Sequence, residues 1–260
     1  MTQRSAESRR IALWRWPLIG LRIALMGLAL VISAPLYYLS APFFARNPVP
    51  RLFLGALARI VGVKLRSTGE RPASRSFLLA NHVSWIDILA LAGTTGCAFV
   101  AHDGLAAIGP LRWLCGLNDT VFVARHDRRS VARQIEQVRT ALQDTGSLAI
   151  FPEGTTSDGT SLLPFKSSLL SSLEAGLDHI AVQPVWLDYG VAVQDVAWIG
   201  SESGLENALR LLGRIRPIPL TLHFLPPLEG EDRAQRKAIA RAAQNAVMRA
   251  MDRRDQRVAL

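Results

Sequence analysis

The sequence predicts an α/β domain with a mostly parallel central sheet flanked by helices, preceded by an N-terminal membrane-associated helical anchor. Three observations carry this reading. From about residue 74, short apolar runs alternate with stretches of helical periodicity, the pattern of strand–helix units. Residues 23–45 hold no charged side chain, a run long enough to span a bilayer as one helix, for which about 20 residues suffice. The charge is also uneven. Of the net +9, residues 1–70 carry +8, with ten basic positions opposed only by Glu7 and Glu70, and the remaining 190 residues are nearly neutral.

The anchor comes first. Pro35 and Pro42 lack an amide proton and disfavour helix in the residue before them, so residues 23–45 are expected to form a bent or hairpin anchor held in one leaflet; a single spanning helix is the alternative. Trp14, Trp16, Tyr37 and Tyr38 are amphipathic rings suited to headgroup depth, and the basic residues beside them favour the cytoplasmic side. A cleaved signal peptide is not expected, because the apolar stretch is long and interrupted. Residues 1–65 are therefore taken as anchor and residues 66–260 as the folded domain.

Strands are expected at residues 76–80, 97–101, 120–123, 147–151, 180–187 and 218–224. Helices are expected over residues 84–92, over 129–143 with Val131, Ile135, Val138 and Leu142 on one face, and over 233–254 as a basic tail. Composition narrows the function. Disorder does not fit a chain that is 49% hydrophobic, and two cysteines make no disulfide scaffold. No metal-ligand spacing is present. An isoelectric point near 10.6 suits nucleic acid in general, but nucleic-acid surfaces interleave basic with polar residues. Here the cations flank an apolar run, and the mean hydropathy is +0.19, so a lipid surface is expected and nucleic acid is not.

Four short motifs carry chemistry. Asn81-His82-Val83-Ser84-Trp85-Ile86-Asp87 sits where a strand enters a helix. If His82 lies in the turn before the helix, it can fold back onto Asp87; the acid then fixes the tautomer and leaves the other ring nitrogen basic, ready to take a proton from a hydroxyl. Ser84-x-x-Asp87 is equally a helix capping box. Phe151-Pro152-Glu153-Gly154-Thr155-Thr156-Ser157-Asp158-Gly159 follows a strand and offers N–H and hydroxyl donors to an anion, or forms an ordinary surface turn. Val121-Phe122-Val123-Ala124-Arg125 ends a strand in a cation. Val182-Gln183-Pro184-Val185 is an apolar strand with a proline, which by itself suggests a sheet edge.

In this order the four resemble the glycerolipid acyltransferase family that includes 1-acyl-sn-glycerol-3-phosphate acyltransferases. Its NHxxxxD block is matched by Asn81, His82 and Asp87; its second block by Phe122 and Arg125; its FPEGTRS block by Phe151, Pro152, Glu153, Gly154, Thr155 and Ser157; its fourth by Pro184 and Val185. The resemblance covers roughly residues 65–190 and implies acyl transfer from an acyl thioester, on acyl carrier protein or coenzyme A, to the hydroxyl of a membrane lysolipid, with no metal or other cofactor. It makes His82 the base and Asp87 its orienting acid. It assigns Arg125, Glu153, Gly154, Thr155 and Lys166 to the acceptor headgroup, and gives Asn81 a place in the turn rather than in the chemistry. The enzyme is then expected at the inner, cytoplasmic membrane with its site facing the cytoplasm, acting in phospholipid biosynthesis on 1-acyl-sn-glycerol-3-phosphate.

Two positions depart from the pattern. Thr156 stands where the family has the arginine of FPEGTRS, and His102 stands near where the second block often begins with lysine. A threonine hydroxyl does not replace a bidentate phosphate clamp. The Thr-Thr-Ser-Asp-Gly run also looks like bacterial lyso-ornithine-lipid acyltransferases, which makes an aminolipid the alternative acceptor. A reading of another class is a catalytically inactive lipid-binding protein of the membrane surface. An esterase would need G-x-S-x-G, and Gly200-Ser201-Glu202-Ser203-Gly204 puts glutamate at the nucleophile position.

Overall fold

The structure is a computed structural model, and it describes residues 11–73, 75–102, 113, 115–118, 120–123, 136, 138, 140–142, 146–168, 170 and 180–258. Two helices, α1 (Trp16–Ser40) and α2 (Val49–Val61), lead into β1 (Val63–Thr68) and β2 (Ser76–Ala80). Then follow α3 (Ile86–Thr95), β3 (Ala98–His102), β4 (Val121–Val123), β5 (Ser147–Ile150) and β6 (Ala181–Asp188). The short α4 (Val193–Val196), α5 (Gly204–Leu212), β7 (Ile218–Phe224) and α6 (Arg236–Val258) complete the described elements.

The strands form one sheet in the order β1-β7-β6-β2-β5-β3-β4. The five from β6 to β4 run parallel, while β7 is antiparallel to β6 and carries β1 parallel to itself. The sheet is thus mixed with a parallel majority. All six expected strands are present, within one or two residues at their ends. The seventh, β1, was not foreseen. It is an edge strand with only Val63 buried and with Lys64 and Arg66 exposed, so it gives little hydrophobic signal and carries the charges that guard an edge.

Strand alternation sorts the core onto two faces. Leu78 and Ala80 of β2, Ala149 of β5 and Leu187 of β6 face α2, α3 and α5. Phe77 and Leu79, Leu148 and Ile150, and Trp186 face α6 through Ile239, Ala243 and Val247. Of the helix expected over residues 129–143, Val138 and Leu142 are buried on this second face, whereas Val131 and Ile135 lie outside the described residues. At the crossing of α2 and α3 a Cβ on Gly93 would lie 2.7 Å from Gly55 Cα, so Gly93 lets the backbones touch where a side chain would wedge them apart.

The N-terminal region departs from expectation. α1 runs unbroken through Pro35, and its helix begins before Arg22 rather than at residue 23. A proline costs a helix the bond to the carbonyl four residues earlier, and 25 residues absorb one such loss. Pro42 lies in the 3₁₀ turn Ala41–Phe43 that ends the helix. Arg22 is tolerated because its guanidinium donates to the carbonyls of Leu212 and Arg214, each at 2.8 Å, at the electronegative end of α5. The segment Leu13–Phe43 is long and apolar enough to cross a membrane, and Val31 and Leu39 are each 69% exposed. Yet Ile19 is buried in the core, as are Phe53 and Leu57 of α2. A division between residues 65 and 66 therefore falls inside β1, and α2 belongs to the folded body.

Pro184 corrects another expectation. It sits in an interior strand, paired with Leu79 of β2, not at a sheet edge. Its carbonyl accepts from Leu225 N–H at 3.0 Å, just past the end of β7, and the β6–β7 ladder begins one residue later at Val185. The return bond that its missing N–H would make to the Leu225 carbonyl is made instead by the Gln183 side-chain amide at 2.9 Å.

Candidate active site

Three neighbouring parallel strands, β6, β2 and β5, end on the same side of the sheet, and the residues that follow them meet there. Ligand sites of open α/β sheets form beyond such carboxyl ends. Asn81 and His82 follow β2, Phe151 to Gly159 follow β5, and Tyr189 follows β6.

His82 lies in the turn before α3, and its ring folds back as the spacing suggested. Nδ1 is 2.8 Å from Oδ2 of Asp87, which sits in the first turn of the helix. The same oxygen accepts the backbone N–H groups of Val83 at 2.6 Å and Ser84 at 2.9 Å. Asp87 thus joins the imidazole to the backbone of the turn, but the expected Ser84–Asp87 capping box does not form. The cap residue itself is Trp85, not Ser84, whose Oγ is buried without a hydrogen-bond partner among the described residues. Asp87 is fully buried, and its Oδ1 accepts the hydroxyl of Tyr189 at 2.5 Å. A carboxylate that accepts four donors obliges Nδ1 to carry the proton, so Nε2 presents its lone pair. Among the described residues nothing bonds Nε2, and the side chain is 17% exposed. The imidazole lies flat on Phe151, centroids 4.0 Å apart with 10° between planes, and Phe151 stacks on Phe99. Tautomer and ring plane are both set by neighbours.

The loop after β5 is tied to this turn. Ser157 donates to the His82 carbonyl from its N–H at 2.7 Å and from its hydroxyl at 3.1 Å. Glu153, expected at the acceptor headgroup, is turned inward and fully buried. Its Oε1 accepts the N–H of His82 at 2.7 Å and its Oε2 that of Leu163 at 3.0 Å. A side chain occupied by two backbone donors braces the loop against the turn, and its carboxylate faces inward rather than towards the open side of the site. Gly154 closes the turn at a φ of 71°, a conformation that favours glycine. Thr155 and Lys166 are exposed, and the backbone N–H of Lys166 donates to the Pro152 carbonyl. Thr156 donates its hydroxyl to the Trp198 carbonyl at 2.5 Å, while Trp198 N–H donates to the Val83 carbonyl at 2.9 Å. Asn81 bridges to β6, accepting from Leu187 N–H at 2.7 Å and donating to its carbonyl at 3.2 Å. Arg125 lies outside the described residues. Glu202, at the nucleophile position of the rejected esterase motif, pairs with Arg210, while Ser203 caps α5.

Burial pushes the Glu153 carboxyl up to about 7, against the His82 and Leu163 N–H groups, the His82 charge and Ser157, which draw it down. A carboxyl raised in the folded state holds its proton more tightly there than in the unfolded chain. Stability from this group is therefore greatest at low pH and falls as pH rises from about 4.5 to about 7. Denaturant unfolding of wild type and Glu153→Gln across that window is expected to show the steeper decline in wild type. Parallel profiles would show that Glu153 titrates as an ordinary carboxyl.

A family model described as Acyltransferase matches residues 63–188, from the start of β1 to the end of β6. The lyso-ornithine lipid O-acyltransferase of Pseudomonas aeruginosa is 34% identical over 213 residues, 79% of this chain and 79% of that protein. This chain belongs to the acyltransferase family. The 1-acyl-sn-glycerol-3-phosphate acyltransferase of Neisseria gonorrhoeae is 34% identical over 131 residues, 49% of this chain and 51% of its own. The crystal structure of the 1-acyl-sn-glycerophosphate acyltransferase PlsC from Thermotoga maritima has the same fold, with a TM-score of 0.68 over 93% of this chain and 96% of that one at 19% identity. The protein is accordingly an acyltransferase.

Sequence reasoning missed Tyr189 and the stacking role of Phe151. Nothing in the sequence says that β6 lies beside β2, so a tyrosine 102 positions after Asp87 gives no signal of contact with it. Phe151 is visible in the sequence only as part of a motif, and its place over the imidazole follows from β5 lying on the other side of β2.

Proposed function

We propose that this acyltransferase works by a His82–Asp87 general-base mechanism on a lysolipid held at a membrane surface. The observation that carries this is the imidazole bound through Nδ1 to a buried carboxylate with Nε2 left open. Nε2 takes the proton of the acceptor hydroxyl as its oxygen attacks the thioester carbonyl carbon. The tetrahedral intermediate collapses with cleavage of the C–S bond, and the imidazolium returns its proton to the departing thiolate. Asp87 stabilises the imidazolium between these steps. The reaction balances with donor and acceptor alone and needs no cofactor. Either acyl carrier protein or coenzyme A can present the thioester.

The acceptor we assign is lyso-ornithine lipid. Position 156 has no guanidinium, and the Thr156 hydroxyl is already committed to the Trp198 carbonyl, so this loop lacks the phosphate clamp of the FPEGTRS pattern. The exposed Asp158 beside it suits an ammonium better than a phosphate. The relative from P. aeruginosa, which aligns over most of both chains, carries that name. Lysophosphatidate is the second reading, favoured by the exposed Lys166. The apolar, exposed length of α1 and the basic residues near it support a place at the inner membrane with the site on the cytoplasmic side.

The test is acyl transfer in vesicles with lyso-ornithine lipid and lysophosphatidate side by side, each with both donor types and with His82→Ala as blank. Faster turnover of the aminolipid is expected. Preference for lysophosphatidate would show that Lys166 and its neighbours hold a phosphate without an arginine at position 156.

A further inference from the structure

Asp87 divides its two oxygens between different tasks. Oδ2 takes the imidazole and the two backbone N–H groups of the turn, whereas Oδ1 meets only the Tyr189 hydroxyl among the described residues. A buried carboxylate oxygen without a donor is costly, and an Asp87 lacking one at Oδ1 would turn its carboxylate plane towards another donor at the expense of the Oδ2 contacts. Tyr189 removes that incentive. Its ring is 1% exposed, and the backbone holding it is set by β6 before it and by the Ala192 N–H bond to its own carbonyl at 3.1 Å after it. The turn is further fixed by Asp188, whose Oδ1 accepts Gly190 N–H and the Arg254 guanidinium of α6. The charged and titratable groups around this point are His82 from the β2 turn, Glu153 beneath the His82 N–H, and Asp188 with Arg254 and His223 behind Tyr189.

We propose that Tyr189 is a positioning residue for acyl transfer: its hydroxyl, held on Asp87 Oδ1, keeps Oδ2 on His82 Nδ1 and so keeps Nε2 aimed at the acceptor hydroxyl. This rests on the His82–Asp87 mechanism above. It has a second consequence. A hydrogen bond from the phenol draws charge from the carboxylate, so the imidazolium is stabilised less than a bare Asp87 would stabilise it. Burial and the neighbouring Asp87 charge hold the phenol well above its ordinary range, which keeps the hydroxyl a donor at working pH.

The experiment uses the full chain, with Tyr189→Phe compared with wild type and His82→Ala on the same vesicle-borne acceptor and donor. The phenylalanine fills the same core volume and lacks only the hydroxyl. We expect kcat to fall about tenfold or more, as for loss of a hydrogen bond to a charged group, with acceptor KM unchanged. The acidic limb of kcat/KM should move to higher pH, because Asp87 then holds the imidazolium more tightly and the neutral base appears later. Thermal unfolding of the same samples separates lost fold from lost rate. Wild-type kcat and an unmoved acidic limb, with His82→Ala inactive, would overturn the role of Tyr189 alone. A fall in rate matched by lost folded protein, with the limb unmoved, would reduce it to a packing residue and overturn it as well. Turnover in His82→Ala at the wild-type rate would instead overturn the mechanism on which it depends.

Discussion

His82→Ala is expected to lower turnover by about a thousandfold, within the range of about 10²–10⁴ that a positioned general base contributes, while the protein stays folded. The ring is partly exposed, and among the described residues its side-chain hydrogen bond goes to Asp87. Its removal exposes the face of Phe151 and leaves the backbone bonds of the turn intact, because Glu153 and Ser157 hold residue 82 through its N–H and carbonyl rather than through its ring. Acyl transfer and circular dichroism on one preparation check both halves. Wild-type turnover with a native spectrum would refute the base assignment. Loss of the spectrum would mean that the turn depends on the imidazole itself and not on its backbone bonds.

Substitution of Asp87 should separate chemistry from fold. In Asp87→Asn, the amide oxygen can still accept from the turn, with its NH2 toward Tyr189, but the negative charge opposite the imidazolium is gone. Loss of that charge in a comparable hydroxyl–imidazole–carboxylate system costs about 10⁴ in rate, and a fall of about 10²–10⁴ is expected here. Asp87→Ala goes further. It strands the N–H groups of Val83 and Ser84 and the Tyr189 hydroxyl without an acceptor, each worth about 1–3 kcal/mol when buried. The alanine variant should therefore unfold at clearly lower denaturant than the asparagine variant, although both are nearly inactive. Equal stability of the two would mean that the turn finds other acceptors. Near-wild-type turnover in Asp87→Asn would mean that the charge plays no part in the reaction.

The interior strands are legible in the sequence because burial on both faces writes a continuous apolar run; Ser76 to Ala80 is wholly buried and matches its expected bounds to the residue. β1 is illegible for the opposite reason, being exposed at every residue after Val63. The His82–Asp87 pair is local, five residues apart, and turn geometry suffices to suggest it. Glu153 shows the limit of a motif. The pattern marks it as important but does not say that its carboxylate turns inward to the His82 and Leu163 N–H groups. Arg22 shows the same limit for charge, since its carbonyl partners lie some 190 positions away.

From residue order alone come the α/β alternation, the apolar helix with its basic neighbours, and the four blocks that mark an acyltransferase. These are properties of periodicity, composition and short-range spacing, which act within a turn or two of the chain. The position of Tyr189 on Asp87, the inward turn of Glu153 and the commitment of Thr156 to Trp198 needed the fold. They depend on which strands lie side by side, and that is settled by long-range packing, in which contacts between distant segments outweigh any local preference.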